Sequence, residues 1–188
     1  MSAFELVQWQ KLDSNGICYP WFTHPFLDVL DTWDLKDKVV LEYGGGKSTM
    51  WWASRAKQVF TIETNEEWLK HIDNDLMGVH GGFNEKIQLF HRPVNEGDQT
   101  KIDYYTELPE GCNPDIVVID GVLRHECLLK ALTLPRPLII IHDNWQQDGF
   151  VCPASEEVMK DYEIHNFIQE NHTDNHGKKW ATAFWSLK

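Results

Sequence analysis

The residues able to do chemistry in this chain gather where apolar runs end. Val39-Val-Leu-Glu-Tyr-Gly-Gly-Gly-Lys-Ser-Thr49 carries a carboxylate, Glu42, into three consecutive glycines and then a helix-like stretch. Glycines let a ligand or another backbone come close, and the neighbouring acid sets the sign of what is welcome. A phosphate-binding loop ending at Gly46-Lys47-Ser48 would need a glycine where Leu41 stands. A dinucleotide fingerprint fails at Thr49 and would set Glu42 beside a pyrophosphate. A ligand with an ammonium and a sulfonium and no phosphate, S-adenosylmethionine, is attracted by the same acid. Gln58-Val-Phe-Thr-Ile-Glu63 is a second apolar run ending in a carboxylate, at the spacing where α/β nucleotide folds hold a ribose diol.

Two further run ends carry polar groups. Asp115-Ile-Val-Val-Ile-Asp120 leads into Gly121, Arg124 and His125, and a later run ends in His142-Asp143-Asn144. On neighbouring strands, Asp120, Asp143 and Asn144 would offer oxygen ligands for magnesium or calcium. Without a metal, two close carboxylates repel, one titrates high, and Asp143 becomes the expected proton acceptor. His125 and His142 are further candidates for a catalytic base and Arg124 for an anion anchor, with helix capping or solvent the alternative for His125. Trp21, His24 and Trp145 flank the expected site loops and are candidate substrate contacts. The aromatic run from Tyr19 to His24 is expected either to cover the donor and wall the acceptor or to clasp the core.

These groups need a scaffold that brings strand ends together. Strand-like runs at Val39–Tyr43, Val59–Glu63, Ile87–His91, Asp115–Asp120 and Leu138–Asp143 alternate with helical stretches at Ser48–Lys57, Glu66–Leu76 and Glu126–Leu134, the pattern of a doubly wound parallel sheet. Tyr162–Ile168 and Lys179–Leu187 are joined too closely for a parallel crossover and predict an antiparallel hairpin. Pro93–Pro114 reads as a long loop. With 188 residues, the expectation is one domain, a cap over 1–36 and an α/β core over 37–188. A net charge of −12 without a basic run argues against nucleic-acid and anionic membrane partners. The N-terminus has no basic, apolar leader, and no stretch has the length of a membrane span, so a cytoplasmic location is expected. Cys18, Cys112, Cys127 and Cys152 lie far apart and predict reduced packing residues rather than a disulfide framework.

The Glu42-to-Thr49 motif, Glu63, Asp115-to-Gly121 and the closing hairpin together resemble the class I S-adenosylmethionine-dependent methyltransferases. Tyr43-to-Thr49 with Trp51-Trp52-Ala53, and Asp120-Gly121 with Arg124 and Cys127, are similar to a group of small bacterial methyltransferase-like proteins. The resemblance implies a Rossmann-like sheet of five parallel strands plus the antiparallel hairpin. It also implies a donor site drawn from Glu42, Gly44, Gly45, Gly46, Ser48, Thr49, Glu63 and Asp120. The Asp120/Asp143 arrangement is similar to that of metal-dependent catechol and caffeoyl-type O-methyltransferases. The chain departs from the wider superfamily after the third strand, where Phe90-His-Arg-Pro93 stands in place of an acid. The leading expectation is methylation of a small molecule, O- before N-. The rivals are a non-catalytic binder of S-adenosylmethionine or S-adenosylhomocysteine and an NAD- or nucleotide-sugar-linked enzyme. With no inserted substrate domain, specificity falls to short loops, the N-terminal segment or the second subunit of a homodimer.

Overall fold

The central strands are unbroken apolar runs because both of their faces are covered. The computed structural model describes residues 12–79, 84–94, 97–135, 139–143, 160–170 and 180–188. In chain order the elements are α1 (His24–Leu30), β1 (Val39–Tyr43), α2 (Lys47–Arg55), β2 (Gln58–Glu63), α3 (Glu66–Val79), β3 (Ile87–His91), α4 (Gln99–Thr106), β4 (Ile116–Ile119), α5 (Arg124–Ala131), β5 (Ile139–Asp143), β6 (Tyr162–Gln169) and β7 (Trp180–Leu187). They form one seven-stranded sheet in the order β3-β2-β1-β4-β5-β7-β6. The first five strands are parallel, and β7 pairs antiparallel with both β5 and β6. The predicted α/β class, parallel core and closing hairpin are all present.

Alternation along the strands assigns each side chain to one of two cores. Val40, Val59, Ile116, Val118 and Ile141 pack with Trp51 and Trp52 of α2 and with Phe26 and Leu30 of α1. Leu41, Phe60, Ile62, Val117 and Ile140 pack on the other face with Tyr105 of α4 and with Cys127 and Leu128 of α5. The same period puts Glu42, Thr61, Glu63 and Asp143 on the α1/α2 face, and His142 on the opposite one with Trp185. Cys112 and Cys127 are free thiols buried as packing residues, Cys18 is half-buried, and Cys152 lies outside the described residues.

Two helices lie outside the expected set, α1 within the segment read as a cap and α4 within the segment read as a loop. The Pro93–Pro114 segment contains helix α4, started by Asp98, whose side chain accepts from the Lys101 N–H at 3.3 Å. Its far end is held from outside by Arg92, a buried residue whose guanidinium donates to the carbonyls of Tyr104 (2.9 Å) and Glu107 and lies 4.9 Å from the Tyr104 ring centroid. A cation at a helix C-terminus meets both the orphan carbonyls and the negative end of the dipole. This accounts for Arg92 standing after β3: it fixes the helix that delivers Tyr105 to the site.

Candidate active site

Parallel strands with helices on both faces leave a crevice beyond their carboxyl ends. Here it is a cavity of about 510 Å³, floored by Gly44, Gly45 and Gly46, flanked by Lys47 and Ser48, and walled by Glu63, Thr64, Trp68, Tyr105, Asp120, Gly121, Val122 and Trp21. The volume lies within the range of small-molecule sites.

The glycine loop is tied down on every N–H. Gly44 donates to the Ile62 carbonyl at 2.9 Å, Gly45 to Glu63 Oε2 at 3.1 Å and Gly46 to Thr49 Oγ1 at 3.2 Å. A phosphate cradle works by aiming such N–H groups at the ligand. With all three engaged within the protein, the glycines of this loop do not aim their N–H groups at a ligand phosphate. Its glycines answer a different demand. Gly44 has φ +89°, and a Cβ there would sit 2.4 Å from the Gly121 backbone; a Cβ on Gly45 would meet Thr61 Cγ2 at 2.4 Å. The loops after β1 and β4 therefore touch backbone to backbone. Gly46 is extended, and its Cβ would lie 3.7 Å from the Trp68 indole nitrogen, an ordinary contact. Within the protein a Cβ at Gly46 is therefore accommodated, and the steric demand falls on Gly44 and Gly45.

Glu63 holds the loop and faces the cavity. Its Oε1 accepts from the N–H groups of Thr64 (2.7 Å) and Asn65 (2.8 Å), while Oε2 accepts only from Gly45 among the hydrogen bonds of the described residues. Oε2 thus retains lone-pair capacity for a ligand hydroxyl. Trp68, in the first turn of α3, donates its indole N–H to the Gly45 carbonyl at 2.7 Å, is 37% exposed and lines the cavity. Tyr105 comes from the opposite side, its ring 5.8 Å from that of Tyr43, whose hydroxyl donates to the Thr106 carbonyl at 2.7 Å. Trp68 and Tyr105 were not singled out by sequence. Trp68 had a usable signal, its place in the first helical turn after Glu63; Tyr105 sat in a segment without readable periodicity.

Glu42 lies beneath the loop and not in the cavity. It is fully buried and accepts hydrogen bonds from Ser48 (2.5 Å), Thr49 (2.6 Å) and Thr61 (3.0 Å). Burial pushes its carboxyl up to about 7, against the three hydroxyl donors, with the nearby charge of Glu63 adding to the rise. Its part is to fasten the end of β1 to the start of α2. Thr49, also fully buried, belongs to the same fastening, whereas Ser48 reaches the cavity wall.

The expected acceptor-side residues separate. Asp120 is on the wall, its Oδ1 3.5 Å from Arg124. Arg124 is spent on the scaffold: it donates to the carbonyls of Gly121 (2.9 Å), Asp143 (2.6 Å) and Asp120 (3.2 Å), clamping β4 to β5. Asp143 is turned away from the cavity, and both its oxygens take donors from β7: Oδ1 from Thr182 at 2.7 Å, Oδ2 from the Trp180 indole at 2.8 Å. Burial, and then the charge of Asp120, raises its carboxyl well above the ordinary range. His142 is fully buried on the other sheet face, its Nδ1 2.8 Å from the Asp143 carbonyl, and burial lowers it to about 3, which leaves a neutral packing residue. Alternation decides both fates, since successive residues at a strand end enter opposite cores. His24 and the half-buried His125 do not wall the cavity, while Asn144 and Trp145 lie outside the described residues.

A divalent cation does not fit the described donors. Asp143 is satisfied by β7 and Asp120 faces Arg124, and among the described residues no group of three His, Cys, Asp or Glu could hold a metal.

No protein-family model and no curated protein matches the chain. Solved structures do. A methyltransferase-like protein from Silicibacter pomeroyi is 21% identical over 90% of this chain and 89% of its own, with a TM-score of 0.58. A protein described as a caffeoyl-CoA O-methyltransferase from Staphylococcus aureus is 18% identical over 90% and 86%, TM-score 0.61. One described as a tRNA (m1A22) methyltransferase from Streptococcus pneumoniae is 14% identical over 88% and 71%, TM-score 0.57. The chain has the class I methyltransferase fold. In that fold the cavity described above lies at the carboxyl edge of the sheet, between the glycine loop and the ends of β2 and β4.

Proposed function

We propose that this protein is an S-adenosylmethionine-dependent methyltransferase acting on a small molecule, with a hydroxyl as the methylated group. The observation that carries the reading is the cavity's donor set. Among the described residues two carboxylates, Glu63 and Asp120, against the one cation Lys47, and the rings of Trp21, Trp68 and Tyr105 border it, while the glycine N–H groups are engaged. Acid and aromatic faces favour a cationic ligand over an anionic one. Glu63 is the group to accept from the ribose hydroxyls through Oε2, with Gly44, Gly45, Gly46, Ser48 and Asp120 around the remainder. When bound, S-adenosylmethionine supplies a methyl group on a sulfonium, open to in-line displacement, so the protein's task is chiefly orientation.

On the acceptor side, Trp21 offers a flat wall. Asp120 is the described carboxylate beyond Glu63 that reaches the cavity, and we assign it the proton of the acceptor hydroxyl in place of Asp143. A small acceptor agrees with a 510 Å³ cavity and a chain of net charge −12. The test is transfer of labelled methyl from S-adenosylmethionine to a panel of phenols, alcohols, amines and transfer RNA. Label on a hydroxyl, lost in Asp120→Asn while adenosylhomocysteine still binds, supports the assignment. Binding without transfer to any acceptor leaves a non-catalytic binder, and label on RNA displaces the small-molecule reading.

A further inference from the structure

Among the described residues the N-terminal segment contributes one residue to the cavity, Trp21. Tyr19, Phe22 and Thr23 are buried, while Trp21 between them is 39% exposed and walls the cavity. The buried residues are the clasp: Tyr19 packs 5.9 Å from the Trp51 ring and donates its hydroxyl to Asp31 at 2.5 Å, and Phe22 lies 5.4 Å from Phe26. Immediately after Trp21 the backbone is pinned to the hairpin. Thr23 donates its N–H to Thr182 Oγ1 at 3.0 Å and its hydroxyl to the Phe167 carbonyl at 3.2 Å, and the His24 N–H reaches Gln169 Oε1 at 2.7 Å.

The Thr182 link has a direction. A backbone N–H can only donate, so Thr182 must accept from Thr23 and send its own proton elsewhere. It sends it to Asp143 Oδ1 at 2.7 Å, and Asp143 is held in turn by the Trp180 indole. A buried carboxylate costs more than an apolar residue of the same volume unless its contacts fix something. Here it fixes the rotor of a hydroxyl whose lone pair then faces the segment carrying Trp21.

We propose that Asp143, Thr182 and Thr23 form a relay of hydrogen bonds that positions Trp21 as a wall of the cavity. Asp143 and Thr182 are thereby positioning residues, acting on the ligand through Trp21 and not by contact. The ligand-binding arm of this inference rests on the methyltransferase reading above; the relay itself does not.

The experiment uses the full chain and two readouts. The first is the Trp21 indole N–H resonance in ¹⁵N–¹H spectra, assigned with Trp21→Phe; the second is calorimetric binding of adenosylhomocysteine. Thr182→Val removes both halves of the link and should displace the Trp21 resonance while leaving that of Trp68 in place. It should also weaken binding roughly three- to tenfold. Thr182→Ser, which keeps the hydroxyl, should restore both readouts. If Thr182→Val does not fold, Asp143→Leu, which has no oxygen to accept the Thr182 hydroxyl, carries the same comparison. A folded Thr182→Val or Asp143→Leu protein with an unmoved Trp21 resonance overturns the relay. Absence of adenosylhomocysteine binding in the wild type would instead count against the proposed function, and the resonance arm would still judge the relay.

Discussion

Glu42 and Glu63 look alike in the sequence, each an acid at the end of an apolar run, yet they sit in opposite circumstances. Glu63 opens onto the cavity; Glu42 is sealed under the loop with three hydroxyls. For Glu42 the folded carboxyl, at about 7, is above its ordinary value of 4.5, so the native state binds the proton more tightly than the unfolded chain. Its contribution to stability is therefore fully present below about pH 4.5 and is lost as pH rises through 7, on the order of 3 kcal/mol in all. Asp143 acts with the same sign. Denaturant melts at pH 5 and pH 8.5 should show wild-type stability falling with pH and a shallower fall in Glu42→Gln; parallel slopes would contradict the burial argument. Glu63→Gln, with the fold checked by circular dichroism, should weaken adenosylhomocysteine binding by about 1–3 kcal/mol, the worth of a charge-assisted hydrogen bond.

At the scale of elements, the glycine loop and helix α4 are where local sequence and tertiary structure part company. Gly44→Ala should cost about 2–4 kcal/mol, because the site is left-handed and the new methyl meets backbone, whereas Gly46→Ala should stay within about 1 kcal/mol. Thermal or denaturant melts of the pair decide it. Arg92→Met should leave the C-terminal carbonyls of α4 without their partner, and hydrogen exchange should then quicken across residues 99–107 while β1 and β4 stay protected. The parallel strands were legible because burial on both faces writes itself as apolar runs. The hairpin was legible from its short connection. Helix α4 was not, because Gln-Thr-Lys-Ile-Asp-Tyr-Tyr-Thr has little apolar period and depends on Asp98 at one end and Arg92, distant in sequence, at the other. The site was half legible. Strand-end acids and glycines identify the edge of the sheet that forms the cavity, but which acid faces it turns on strand parity and on what packs opposite. Asp143 and His142 could not be assigned a face before β7 was placed beside them.

The whole molecule joins an acidic chain, a two-layered core and a strand-end cavity whose glycine N–H groups are already used. A class I methyltransferase fold whose loop glycines turn their N–H groups inward is suited to a donor that carries no phosphate, and that donor's identity is the claim on which the rest stands. Isothermal titration of the intact protein with adenosylhomocysteine, beside a parallel titration with NAD, tests it most directly. The account predicts saturable one-to-one binding of adenosylhomocysteine, weakened in Glu63→Gln, and no heat of binding with NAD. Binding of NAD with none of adenosylhomocysteine, or wild-type affinity in Glu63→Gln, would contradict it.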